Sequence, residues 1–172
     1  MLRITILSVL SLLLIQCSKK GESIESKQLS TSDNEIINYV EYCNERYDMC
    51  FDYPSNFSAQ PVPLNGDGRT FINKPDSAEI VMYGFIDETG SELNNQLEVL
   101  GDMLKDEKIT KLDNGYEITG ILLDNGFVYH EKLLVRNGEN NLQTVSGLQF
   151  THPKSKTQKF SGYWKSMIEK FK

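Results

Sequence analysis

FDYPSNFSAQPVPLNGDGRTFINKPDSAEIVMYG, residues 51–84, is the stretch on which the fold turns. Cys50-Phe51-Asp52-Tyr53 alternates apolar and polar side chains and then meets Pro54, which has no N–H for a sheet ladder and so closes a central strand. Asn65-Gly66-Asp67-Gly68 supplies the residue types that tolerate positive φ and bond their own backbone, so the chain turns between Val62-Pro63-Leu64 and Arg69-Thr70-Phe71-Ile72. Pro75-Asp76-Ser77 marks the next turn. Along Ala78–Phe85, Ala78, Ile80 and Met82 share one face and Val81, Tyr83 and Phe85 the other, with Glu79 the one charge. Both faces want cover, the pattern of a strand inside a helix-sandwiched sheet. The rest of the chain reads as completion of the sheet that this block begins.

Downstream, Thr89-Gly90-Ser91-Glu92 has capping-box spacing and opens a helix whose Leu93, Leu97, Leu100 and Leu104 recur at helical intervals. Asn114-Gly115, Asn125-Gly126 and Asn137-Gly138 then predict type I′ hairpins joining strands at about 109–113, 116–123, 127–136 and 142–150. On the third of these, Phe127, Tyr129, Glu131, Leu133 and Val135 share a face, opposite Val128, His130, Lys132, Leu134 and Arg136. After His152-Pro153, Phe160, Tyr163, Trp164, Met167, Ile168 and Phe171 form the apolar stripe of a last helix, which reads as core. Upstream, residues 35–47 suit either a short helix or a strand, and a strand ending near Cys43 is preferred, with a second entering Cys50.

Asp52-Tyr53-Pro54, Asn65 through Phe71, Pro75-Asp76 and the Ala78-Glu79-Ile80 strand together resemble the opening half of bacterial PsbP-like domains, over about residues 39–172. That resemblance implies an α+β fold: a mostly antiparallel twisted sheet of six to seven strands with a C-terminal meander, flanked by helices. Ser77 stands where such turns usually carry glycine, and Cys43 and Cys50 fall outside the pattern. Turn and strand residues carry the match, so it speaks to fold; for function it implies an accessory, scaffold or adaptor role.

Met1-Leu2-Arg3 followed by the mainly apolar Ile4–Ile15 suits a signal peptide and is shorter than the roughly 20 residues that span a membrane. Gln16-Cys17-Ser18-Lys19-Lys20 follows at once and resembles a bacterial lipoprotein signal, in which cleavage leaves Cys17 to be acylated. A plain secretory signal with an incidental cysteine and an uncleaved anchor are the alternatives. The expected organisation is a signal over residues 1–16, a flexible Ser- and Lys-rich tether over 17–34 and a PsbP-like domain over 35–172. Ser18 resembles outer-membrane sorting, so the expected location is the envelope, lipid-anchored in the outer membrane.

At 172 residues with 39% hydrophobic side chains, the chain can bury one sizeable core. Its net charge of −6 opposes phosphate backbones and argues against nucleic acid as a partner. Against this balance, residues 151–172 hold six lysines and one glutamate, the solvated face of an amphipathic helix or a dock for an acidic partner or anionic headgroups. With Cys17 acylated, Cys43 and Cys50 are the thiols that remain, and in an oxidising envelope they most simply pair, closing a short loop for about 2–3 kcal/mol. Free thiols or a redox pair are the other readings, although CNERYDMC has neither the close spacing nor the helix N-terminus that redox chemistry favours.

No constellation of catalytic chemistry stands out. His130 shares its strand face with Lys132 and Arg136, a cationic setting hostile to a metal ion, and His152 precedes a proline. No serine sits in a nucleophile elbow and no glycine-rich loop leads from a strand into a helix. Asn65-Gly66-Asp67-Gly68 lacks the alternating acidic ligands of a calcium loop. The expectation is therefore a binding protein without catalysis, cofactor or metal, an adaptor that engages another envelope protein through a sheet face or loop end. The alternative is a small-molecule or lipid carrier with its cavity between the sheet and the Leu93–Leu104 helix.

Overall fold

The computed structural model describes residues 37–138 and 142–172. The expected signal peptide, Cys17 and the tether lie outside the described residues. The fold class is α+β, with a seven-stranded antiparallel sheet, a separate two-stranded sheet and two α-helices.

Strands β1 (Tyr39–Asn44) and β2 (Met49–Pro54) form the two-stranded sheet, with Cys43 paired opposite Cys50. The strand that ends at Pro54 is thus not a central strand of the main sheet, a correction to the sequence reading. Proline closes a ladder in a two-stranded ribbon as well as in a large sheet, and alternation alone does not say which sheet a strand joins. The large sheet contains β3 (Ser58–Ala59), β4 (Gly68–Asn73), β5 (Ala78–Asp87), β6 (Leu104–Leu112), β7 (Gly115–Leu122), β8 (Phe127–Asn137) and β9 (Gln143–Pro153), ordered β3-β4-β5-β9-β8-β7-β6. Helix α1 (Glu92–Met103) joins β5 to β6, and α2 (Thr157–Lys170) follows β9. Leu104, expected on the α1 stripe, is the first residue of β6, which begins five residues before the expected Ile109.

The sheet buries side chains on both faces, as the β5 pattern requires. On one face Phe71, Ile80, Met82, Leu148 and Phe150 pack beneath Met49 and Phe51 of the small sheet, Phe160 and Met167 of α2, and Phe171 just after it. The aromatic stripe of α2 is therefore core. On the other face Ile118, Tyr129, Leu133 and Val145 pack beneath Leu93 and Leu100 of α1, with Tyr83 and Phe85 against them. These side chains pack between α1 and the sheet, the layer in which the alternative reading expected a carrier cavity. Two strand glycines make room for rings. A Cβ on Gly84 would lie 2.4 Å from the Tyr47 ring, and one on Gly147 would lie 2.3 Å from the Tyr83 ring.

All three Asn-Gly dipeptides sit at hairpin ends, but the turns are not type I′, because none of the three asparagines is at positive φ. The first turn is centred on Asp113-Asn114, with Leu112 opposite Gly115. The second closes through the Gly126 N–H donating to Leu122 O at 2.8 Å, a wider loop. Ser77, standing where glycine is usual, adopts the left-handed conformation at φ 52° and ends a short 3-10 turn over Lys74–Asp76. The β6 margin carries Lys105, Asp106, Glu107 and Lys108, and its register shifts between Lys105 and Lys108, where Asp106 has φ 55°.

Candidate functional site

Antiparallel pairing sends a set of connections to one end of the large sheet. Asp87 pairs with Gln143 and Asn137 with Gln143, so the exit from β5 meets the β8–β9 turn. The Val135 N–H donates to Asn114 O, which brings in the β6–β7 turn, and the Gly84 N–H donates to Asp67 O, which brings in the segment before β4. The β1–β2 turn joins them, as Arg136 Nη1 donates to Tyr47 O at 3.0 Å. Connections on a rigid scaffold are where binding groups collect, which makes this end the candidate site.

Residues 60–67 form its most prominent part, and their base is held from several directions. Arg46 pairs with the Asp67 carboxylate and donates to Asn65 O, while Tyr47 Oη donates to Asp67 Oδ1 at 2.9 Å. Asn44 Nδ2 donates to Gly66 O at 2.9 Å, and the Gly66 N–H donates to Pro63 O at 2.9 Å. On this base Pro61-Val62-Pro63-Leu64 points outward, with Val62 51% exposed and Leu64 fully exposed. Two prolines and a braced base limit the conformations that the loop must give up on binding.

On the α1 side of the same end lies a cleft of about 420 Å³. It is bounded by Gly90, Leu93 and Asn94 at the start of α1, by residues 111–116 around the β6–β7 turn, and by Val135, Asn137 and Gln143 of β8 and β9. Behind it Asp87, 0% exposed, accepts from the Thr89, Gly90 and Leu93 N–H groups at 3.1, 2.7 and 3.0 Å. Those bonds, the one from Leu93 foremost, hold its carboxyl below the usual aspartate range despite burial. The expected Thr89–Glu92 capping box is not formed: Ser91 takes the cap position without a side-chain bond, and Asp87 does the capping from the strand end. A buried carboxylate reaching the same N–H groups is the stronger acceptor.

Two buried polar groups lie deeper. On the α1 face Glu131, 1% exposed, accepts from Tyr129 Oη at 2.9 Å and from Tyr83 Oη, to which Gln96 Nε2 donates in turn. Burial raises the Glu131 pKa against these bonds, and burial together with the Glu131 charge raises both tyrosines. On the α2 face His130 lies 5.4 Å from the Trp164 ring and 6.0 Å from His152. Burial first, and the neighbouring His152 second, push the His130 pKa down to about 4. The cations expected to flank His130 point elsewhere: Lys132 Nζ donates to Ile168 O and Arg136 to Tyr47 O. Two of the C-terminal lysines, Lys159 of α2 and Lys156 just before it, pair with the buried Asp76 carboxylate and hold its pKa down, so that part of the basic C-terminal segment is a clasp to the β4–β5 turn.

Cys43 and Cys50 face each other across the β1–β2 hairpin at disulfide distance, with Cα atoms 4.1 Å apart. Among the described residues no three His, Cys, Asp or Glu side chains converge as a metal site. Sequence reading passed over Leu64, Asp87 and the turn residues that bound the cleft, although its carrier alternative placed a cavity between the sheet and the Leu93–Leu104 helix. The signals were there for two of them: a Pro-Val-Pro-Leu run ahead of a glycine turn marks a stiff, apolar projection, and repeated asparagines at hairpin ends collect at one end of a meander.

No protein-family model matches the chain, and no curated protein matches it. Among solved structures it is similar to the Ran-binding protein Mog1p of Saccharomyces cerevisiae, at 11% identity over 79% of this chain and 95% of that one, TM-score 0.49. It is similar also to the cyanobacterial PsbP (CyanoP) of Synechocystis sp. PCC 6803, at 10% identity over 78% of this chain and 91% of that one, TM-score 0.49. A Bacteroides thetaiotaomicron protein matches at 18% identity over 72% of this chain and 44% of that one, TM-score 0.42.

Proposed function

We propose that this chain is a lipid-anchored accessory protein of the bacterial cell envelope that acts by binding another envelope protein, through the Pro61–Leu64 loop at the turn-rich end of its sheet. The observation that carries the reading is Leu64, an aliphatic side chain held fully in solvent on a braced, proline-stiffened loop. Nothing in the fold needs it there, and an apolar anchor preorganised for a partner's pocket is the arrangement that gives affinity at low entropic cost. Cys17, followed by Ser18 and the two lysines, supports acylation and an outer-membrane location.

A photo-crosslinking residue at position 64, activated in intact cells, is expected to trap one envelope protein, and Leu64→Asp is expected to abolish co-purification of that protein while leaving the thermal midpoint unchanged. Loss of palmitate labelling in Cys17→Ala tests the anchor separately. Crosslinks distributed over many proteins, or co-purification indifferent to Leu64→Asp, would count against the loop as the contact.

A further inference from the structure

The geometry points to the cleft beside α1 as a binding site for a neutral saccharide, independent of the Pro61–Leu64 loop. The volume of about 420 Å³ lies within the range of roughly 300–1,000 Å³ typical of small-molecule sites. Its polar lining is dominated by carboxamides from four different elements or turns: Asn94, Asn114, Asn137 and Gln143. A carboxamide offers a donor pair and an acceptor on adjacent atoms, which suits vicinal hydroxyls that each donate and accept. These groups retain unused capacity. Asn94 spends an Nδ2 hydrogen on Gly90 O and keeps its carbonyl, and Gln143 donates to Asn137 Oδ1 at 3.0 Å, keeping its own carbonyl and leaving the Asn137 amide hydrogens. Leu93, Leu112, Tyr116 and Val135 supply the apolar part of the lining, on which the C–H face of a sugar ring can lie.

Charge excludes the other small polar ligands. Lys111 and Asp113 are the charged residues of the lining and cancel. At the entry to α1, which would otherwise attract a phosphate or carboxylate, the Thr89, Gly90 and Leu93 N–H groups are taken by the Asp87 carboxylate, whose charge repels a second anion. An anion therefore gains nothing there, and a purely apolar ligand would strand the carboxamides. A neutral polyol ring matches both.

The test uses the full-length, detergent-solubilised protein, with amide NMR spectra recorded during titration with maltose, cellobiose, the N-acetylglucosamine disaccharide and, as the charged comparator, glucose 6-phosphate. Saturable shifts in the side-chain amides of Asn94, Asn114, Asn137 and Gln143 are expected with a neutral disaccharide. Asn94→Ala removes one ligand acceptor at an exposed helical position where alanine favours the helix, so it keeps the fold and is expected to weaken binding about tenfold. Leu64→Asp, outside the cleft, is expected to leave the shifts in place, which separates failure here from failure of the protein-binding reading. Absence of saturation by all three neutral sugars, tighter binding of the sugar phosphate, or unchanged affinity in Asn94→Ala would each overturn the assignment.

Discussion

His130 and His152 sit where two charged rings would share a dry space with Phe150, Phe160 and Trp164. His130 is held down to about 4 against an ordinary 6.5, and burial lowers His152 against its bond to Pro153 O. The unfolded chain therefore binds more protons than the folded one between those pH values, so stability rises with pH across that window and is lost as pH falls through it. Urea midpoints are expected to drop between pH 6.5 and pH 4, and the drop is expected to shrink in His130→Phe, which keeps a ring against Trp164 and removes a buried Nδ1 that has no hydrogen-bond partner. Glu131 acts with the opposite sign. Its raised pKa makes the folded state the stronger proton binder above the usual carboxylate range, so its contribution weakens as pH rises. The strand faces of His130 and Glu131 were legible from the period-two alternation of residues 127–136. Of their partners Tyr129 shared the Glu131 face in the pattern, but Trp164 and Tyr83 did not show, because they come from elements far away in sequence.

At the scale of elements, α1 shows how a local motif loses to a tertiary one. Thr89 and Glu92 have the right spacing for a reciprocal cap, yet the helix is capped by Asp87 from the end of the preceding strand. Asp87→Ala removes the acceptor of three N–H groups, that of Leu93 buried, and is expected to cost about 2 kcal/mol in urea unfolding. Asp87→Asn, which keeps one acceptor oxygen, is expected to recover part of that. Hairpin positions were equally readable, since Asn-Gly marks where the chain reverses, but turn type was not. Gly115 at φ 154° and Gly126 at φ 71° provide the unusual backbone, while the asparagines before them keep ordinary conformations.

At the scale of the whole molecule, the sequence pattern of β5 correctly called for cover on both faces, and α2 and α1 supply it. What alternation left open was the membership of the β1–β2 ribbon, which lies over one face and contributes Tyr47, Met49 and Phe51 to the core. Near its turn it is zipped to Lys172, with Cys50 and Lys172 exchanging backbone bonds at 3.0 and 3.3 Å. The Cys43–Cys50 pair constrains this ribbon, and Cys43→Ser with Cys50→Ser is expected to lower unfolding free energy by about 2–3 kcal/mol, read as a reduced urea midpoint with little change in slope.

The margins of the sheet bear on how many copies can crowd together without harm. One rim is kinked where two acids, one of them a left-handed aspartate, stand between two lysines, and the other is two residues long. The kink and its charges interrupt the first rim and the second is too short to template a long strand, so molecules packed densely side by side meet a broken rail for growth into fibrils.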